Sequence, residues 1–147
     1  MLLTGKMPVL LTGKMPLLRS GAKASFDMKA ELIKTFRFDA AHALPNVPAG
    51  HKCSNMHGHS YRVEVHVEGA VDPHAGWVMD FARISSVVRP LIDQLDHHDL
   101  GKIPGLANST SELLAQWLWQ RIKPEIPELS AVVVCESETA KCVYRGE

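Results

Sequence analysis

The chain has 147 residues, of which 46% are hydrophobic and 22% charged, and its 16 basic residues balance its 16 acidic residues. This length and composition fit one globular domain and exclude a disordered chain. A neutral chain lacks the basic excess of a general nucleic-acid or anionic-membrane binder, and its apolar runs are too short for a membrane helix. Three cysteines are too few for a disulfide framework, so we expect reduced thiols and a cytoplasmic protein. Eight histidines, several of them clustered, are the candidates for chemistry.

The start of the chain differs from the rest. The heptapeptide LLTGKMP occurs at residues 2–8 and again at residues 10–16. Its glycine and proline favour neither helix nor strand, and its period is too short for a solenoid. We expect residues 1–27 to be a disordered or non-native leader and residues 28–147 to be a single catalytic domain. Residues 1–27 contain four basic residues and one acidic residue, so the remaining domain, with 12 basic and 15 acidic residues, is mildly acidic.

Residues 31–42 and 59–68 alternate apolar and polar side chains, as half-buried strands do. His42 shares the apolar face of the first segment. His66 alternates with charged residues in the second, and we expect it to be solvated. Two further strands at 130–136 and 141–145 flank a short turn and predict a hairpin.

Two helices are predicted between these strand pairs. Asp80 can cap the first, whose apolar stripe includes Phe81, and Pro90 should kink or loosen it. Ser109 and Glu112 fit a capping box for the second, although Asn108 competes as the cap. The second stripe comprises Leu113, Leu114, Trp117, Leu118 and Ile122. The order ββααββ predicts an α+β fold, with a four-stranded antiparallel sheet, two helices on one face, and exposed edges that favour oligomerisation.

His57-Gly58-His59 lies at the start of the second predicted strand. Residues two apart on a strand point to the same face, so both imidazoles can reach one ion, and His42 lies inward on its own strand. Three neutral nitrogens with one open position are typical of a catalytic zinc site, whereas a lone His-x-His is more often an ordinary pair of strand residues. With the parity match, we predict a metal site on His42, His57 and His59.

Cys53 lies four residues before the first histidine of that pair, in a polar loop. It could be a metal ligand or a catalytic base, and Lys52 or a bound cation would favour its thiolate form. The run DHHD follows at residues 96–99. A carboxylate beside an imidazole orients a proton-shuttling histidine, but a helix end also favours histidine through the helix dipole.

Glu136 ends the apolar face of the third predicted strand. Either the strand has reached solvent there, or the carboxylate has a partner, because burying an unpartnered charge is costly. Such a carboxylate could hold a planar donor pair, such as the edge of a pterin or guanine, through two parallel hydrogen bonds. We expect the nearby Cys135 and Cys142 to be reduced packing residues.

Six segments together are similar to one known family. They are FRFDAAHALP, GHKCSNMHGHSYRVEV, GWVMDFARI, LDHHDL, NSTSELLAQWLW and VCESETAKCVYRGE. The domain resembles the 6-pyruvoyltetrahydropterin synthase family, and most of all its bacterial QueD branch, the 6-carboxy-5,6,7,8-tetrahydropterin synthases. Cys-x-x-x-His-Gly-His is specific when it is combined with the upstream Ala-Ala-His and the downstream Asp-His.

The resemblance implies the tunnelling fold, or T-fold, in which trimerisation closes the sheets into a barrel and two trimers stack as a hexamer with active sites between subunits. It implies zinc on the three histidines and Cys53 as the base that abstracts a proton. It further implies His97 with Asp96 as the proton relay and Glu136 as the pterin anchor.

The resemblance also implies the substrate 7,8-dihydroneopterin triphosphate. The QueD reaction would release triphosphate and acetaldehyde and leave 6-carboxy-5,6,7,8-tetrahydropterin for queuosine and 7-deazaguanine synthesis. Lys52, Arg83 and Arg145 are candidates to bind the triphosphate, and we expect no nucleic-acid or membrane partner. Two alternatives stay open: a 6-pyruvoyltetrahydropterin synthase that retains the side chain, and a non-catalytic module that binds zinc or a pterin.

Overall fold

The computed structural model describes residues 27–147, so the predicted leader lies outside the described residues except for its last position. The main elements are β1 (Lys29–His42), β2 (His57–Ala70), α1 (Phe81–Leu95), α2 (Ser111–Ile122), β3 (Leu129–Cys135) and β4 (Lys141–Tyr144). This order confirms the predicted ββααββ arrangement, with strand ends that differ from the prediction by one or two residues. In the described part, no helix is both long and apolar enough to cross a membrane.

The four strands form one antiparallel sheet in the order β1-β2-β3-β4, as predicted. β1 and β2 pair along their whole length, from Lys29 opposite Ala70 to His42 opposite His57. β1 and β4 are the two edge strands of this sheet. The long β1–β2 ladder carries the end of one strand and the beginning of the next to the same corner of the molecule.

Both helices pack on one face of the sheet, α1 against β1 and α2 against β3 and β4. The side chains of β2 that point to the helices are almost completely inaccessible to solvent. Burying a valine side chain contributes about 1.5–3 kcal/mol. A shift in pairing would expose this face, so its burial determines the register of the strand. These residues are Tyr61, Val63, Val65 and Val67.

The helix ends agree only partly with the sequence predictions. Asp80 caps α1 as predicted, and the helix continues through Pro90 to its last turn. Thr110 caps α2, because its hydroxyl accepts a hydrogen bond from the main-chain N–H of Leu113. The predicted capping role of Ser109 is therefore wrong, and this residue is buried against the sheet instead.

Three side chains lie in surroundings that the sequence did not predict. His66 exposes only 15% of its side chain, because Nδ1 lies 3.0 Å from a carboxylate oxygen of Glu31 and Nε2 lies 3.6 Å from one of Glu64. Phe81 and Leu113, predicted to lie on the apolar stripes, are 46% and 40% exposed. The core-facing side of each helix is thus narrower than its apolar pattern suggests.

Candidate metal centre

Three histidines converge at the corner where β1 ends and β2 begins. His42 is the last residue of β1 and pairs directly with His57, the first residue of β2. One ring nitrogen from each of His42, His57 and His59 lies within 4.8 Å of the other two. The ring centroids are 4.6 to 5.2 Å apart. We refer to these three imidazoles as the histidine cluster.

Main-chain carbonyls orient two of the three rings. Nδ1 of His42 donates a hydrogen bond to the carbonyl oxygen of Ser109 at 2.9 Å, and Nδ1 of His57 donates to that of Asn55 at 2.7 Å. A carbonyl can only accept, so in the neutral form of each ring Nδ1 carries the proton and Nε2 keeps its lone pair. Bonds of this kind fix the tautomer and orientation of metal-binding histidines. Both rings are therefore prepared to present Nε2 to a cation.

Burial keeps the deepest ring of the histidine cluster neutral. His42 is completely inaccessible to solvent, and this desolvation is the main reason why its pKa is lowered. Tyr61 packs beside it, with its hydroxyl oxygen 3.4 Å from each ring nitrogen of His42. Burial, assisted by the charge of Glu136, raises the pKa of Tyr61, so that its hydroxyl stays protonated. The interior side of the cluster thus carries no charge of its own.

This set of donors suits a divalent metal ion of borderline softness. Three imidazoles supply the three protein ligands that are typical of a catalytic zinc site and leave a position for a further ligand. Glu136 lies beside the cluster, with Oε1 3.6 Å from Nε2 of His42 and 3.7 Å from Nε2 of His59. Cys53 does not belong to the group of close ligand atoms, which favours a role for its thiol other than permanent metal binding.

The histidine cluster opens into a cavity of about 400 Å³, which is large enough for a small-molecule ligand. Lys52, Cys53 and Glu136 also line it. The main-chain N–H of Cys53 donates to Nδ1 of His51 at 3.1 Å, and its carbonyl accepts from the main-chain N–H of Leu44 at 2.8 Å. These bonds tie the loop before β2 to the end of β1 and hold the thiol near the imidazoles.

Asp96 and His97, which we call the relay pair, lie beside a second cavity. Nδ1 of His97 is 2.9 Å from Oδ1 of Asp96. Hydrogen bonds from the main chain of Asp39 and from His97 lower the pKa of Asp96, so its carboxylate is ionised at neutral pH. His97 lines an adjacent cavity of about 560 Å³, which His59 also lines. One subunit therefore brings Cys53 to the histidine cluster and presents the relay pair on a neighbouring surface.

The structure also separates the three cations that the sequence offered for triphosphate binding. Lys52 lines the cavity of the histidine cluster. Arg83 lies in the first turn of α1 and donates to the main-chain carbonyl of Glu125 at 3.0 Å. Arg145 follows the end of β4. The supporting roles of Asn55 and Ser109 could not be predicted, because every residue has a carbonyl and no sequence signal marks the one that is used.

Comparisons with known proteins extend these observations. The sequence profile described as 6-pyruvoyl tetrahydropterin synthase matches residues 31–147. A 6-carboxy-5,6,7,8-tetrahydropterin synthase from Synechocystis is 35% identical over 119 residues, which cover 77% of this chain and 91% of that protein. A dihydroneopterin monophosphate aldolase from Pyrococcus furiosus is 39% identical over 100 residues, which cover 68% of this chain and 81% of that protein.

A solved structure agrees with the architecture as well as the sequence. The 6-pyruvoyl tetrahydropterin synthase of Caenorhabditis elegans superposes with a TM-score of 0.76 at 28% identity, over 83% of this chain and 99% of that one. The profile match covers both ends of the sheet and both helices. The chain therefore belongs to the 6-pyruvoyl tetrahydropterin synthase family and has its tunnelling fold.

Proposed function

We propose that this chain is a zinc-dependent lyase. It converts 7,8-dihydroneopterin triphosphate and water to 6-carboxy-5,6,7,8-tetrahydropterin, acetaldehyde and triphosphate, as a step of queuosine synthesis. The observation that carries the proposal is one cavity lined by three imidazoles, a thiol and a carboxylate, in a chain of this family. The name of the Synechocystis relative supports the choice of product.

Zinc is the ion that we assign to His42, His57 and His59. When bound, it supplies Lewis acidity toward the hydroxyl oxygens of the substrate side chain. The two main-chain carbonyls keep Nε2 of His42 and of His57 available, and the burial of His42 keeps that ring neutral. These contacts thus prepare two of the three proposed ligands to present Nε2 to the ion.

Cys53 is the proposed base, which removes a proton from the side chain of the substrate. Its residue lines the same cavity as the histidine cluster, and its carbonyl accepts a hydrogen bond from the main-chain N–H of Leu44, just after β1. Lys52 lines that cavity beside it, and its cation offers a contact for the triphosphate. The neighbouring positions of the thiol and the cation support a role for this loop in proton removal and in triphosphate binding.

Glu136 is the proposed anchor of the pterin. Its carboxylate lies at the end of β3, about one third exposed, with one oxygen close to the histidine cluster. A carboxylate can accept two parallel hydrogen bonds from the amino group and the ring N–H of a pterin. Binding the ring in this way would hold its side chain against the imidazoles and within reach of Cys53.

The proposed assembly is a cytoplasmic homohexamer of two trimers with active sites between subunits. The sheet has two edge strands, β1 and β4, which offer hydrogen-bonding groups to another subunit. Cys53 and His97 line different cavities of one subunit, which supports completion of the site by a relay histidine from a neighbour. The three free cysteines are consistent with a reducing compartment.

The product decides between the candidate activities. The purified full-length protein, incubated with 7,8-dihydroneopterin triphosphate, should release acetaldehyde and triphosphate in equal amounts. Acetaldehyde is measured by its enzymatic reduction with NADH, and the pterin by mass spectrometry, with a chelator-treated sample as the control. A pyruvoyl pterin without acetaldehyde would assign the synthase alternative, and another carbonyl fragment would point to aldolase cleavage. Binding without turnover would leave a non-catalytic module.

Removal of one ligand should destroy the metal site. We expect His57→Ala to weaken zinc binding by more than about 100-fold, because even outer partners of a metal ligand contribute roughly 10- to 100-fold. Competition with a chromophoric chelator measures the affinity. His66→Ala is the matched control, because it removes a histidine from the opposite face of the same strand. Unchanged zinc affinity in His57→Ala would contradict the assigned ligand set.

Substitution of Cys53 should impair turnover without weakening zinc binding. Cys53→Ala should lower kcat by at least about 100-fold, the lower range for a positioned general base, while zinc affinity is unchanged. The control Cys142→Ala removes a thiol whose pKa is raised by burial and by the charge of Glu112, so we expect normal turnover. A loss of zinc from Cys53→Ala would reassign this thiol as a metal ligand.

Mixed oligomers test whether the site lies between subunits. Cys53→Ala and His97→Ala should each be inactive, but co-refolding them in equal amounts should restore about one quarter of the wild-type rate, since random assembly in a symmetric oligomer pairs intact residues at that frequency. Mixing either variant with the double variant serves as the control and should give no recovery. The absence of recovery in the first mixture would place the whole site within one subunit.

A further inference from the structure

The relay histidine has an unusual main-chain conformation. His97 has a φ of +60°, and it is the one non-glycine residue with a positive φ in the described part of the chain. This left-handed region is sparsely populated by residues that carry a Cβ. Such conformations persist where surrounding contacts over-determine them, and they are frequent at functional sites. The contacts that hold His97 in this conformation therefore indicate which groups position the relay pair.

Asp39 on β1 supplies these contacts through its main chain. Its carbonyl oxygen accepts a hydrogen bond from the main-chain N–H of His97 at 2.6 Å. Its own N–H donates to Oδ1 of Asp96 at 2.9 Å, the same oxygen that contacts Nδ1 of His97. The edge of β1 thus holds both members of the relay pair.

The side chain of Asp39 is held close to the same pair. Ser60, its register partner on β2, donates a hydrogen bond from Oγ to Oδ1 of Asp39. One carboxylate oxygen of Asp39, one of Asp96 and one ring nitrogen of His97 all lie within 4.8 Å of one another. Two carboxylates at this separation repel each other, and a positive charge beside both relieves the repulsion. The ring of His97 is placed to carry that charge.

Other titratable groups near this ring have partners of their own. His98 directs Nδ1 to the main-chain carbonyl of Asp96 at 2.7 Å. Asp99 accepts from the main-chain N–H of Gly101, and its other oxygen lies 3.9 Å from Nζ of Lys102. His59, which lines the same cavity, belongs to the histidine cluster. Asp39 is therefore the additional carboxylate that faces the relay pair.

We propose that Asp39 is a positioning residue of the relay. Its carboxylate, oriented by Ser60, is the second anionic partner of His97 and, together with Asp96, stabilises the imidazolium that forms when the ring takes up a proton. The inference rests on the proposed role of His97 as the relay. It deepens that role by keeping the ring in the protonated form from which a proton can be delivered.

Asp39→Asn tests the charge without removing the main-chain contacts. We expect kcat to fall about three- to tenfold, a modest effect because the group is exposed, while KM and zinc affinity are unchanged. The alkaline limb of the kcat–pH profile should move to lower pH, because the imidazolium has lost a stabilising charge. Ser60→Ala should give a smaller change in the same direction. Glu31→Gln is the matched control, because it removes a carboxylate from the same face of β1 at its far end.

NMR spectroscopy of the His97 ring tests the role of Asp39 without a measurement of turnover. In ¹⁵N NMR spectra at neutral pH, the protonated fraction of the His97 ring should be smaller in Asp39→Asn than in the wild type, with the signal assigned by its loss in His97→Gln. Unchanged ring protonation together with unchanged kcat would overturn the inference. Loss of zinc and a parallel rise in KM would also overturn it, by assigning Asp39 a purely structural role. An inactive wild type would refute the proposed function, whereas the NMR comparison would still decide this inference.

Discussion

The pairing of β1 with β2 is the constraint on which the rest of the structure depends. Their ladder of 14 residues places His42 directly opposite His57. Because side chains alternate between the faces of a strand, a slip of one residue would turn His57 and His59 away while His42 stayed inward. The packed face prevents such a slip, and Phe38 and Tyr61 stack across the two strands with their ring centroids 4.8 Å apart. Apolar packing along the strands thus positions the polar cluster at their ends.

Burial then gives this cluster its chemical character. A charged imidazole at the position of His42 would be costly, and desolvation lowers its pKa so that the ring stays neutral. The single N–H of the neutral ring is satisfied by the carbonyl of Ser109, so the lone pair on Nε2 faces the other two imidazoles with only a long contact, 3.4 Å, to the Tyr61 hydroxyl. A metal ion can bind to that lone pair. Burial disfavours the charged form of His42 and therefore keeps the ring in the form that can bind a metal.

Strand parity predicts much of the cluster from the sequence, because it assigns each side chain to a face. It does not predict what lies across the ladder, and for that reason it failed for His66, which has a carboxylate of Glu31 beside it. Local sequence also could not choose between the neighbouring hydroxyls of Ser109 and Thr110 as the helix cap, since the choice depends on the contact of Ser109 with a distant strand. The left-handed conformation of His97 depends on contacts with β1 and has no local signature such as glycine.

The two parts of the proposed chemistry use different sides of β1. Its packed face ends in the histidine cluster, whereas its outer edge near Ala41 pairs with the segment that follows α1. Ala41 forms a parallel bridge with Asp99 and donates its N–H to the carbonyl of His98 at 3.1 Å. In the proposed hexamer, barrel closure would therefore use the earlier part of this edge, residues 29–38, because the groups nearer His42 are already occupied. Subunit contact and relay would then use successive parts of the same edge of β1.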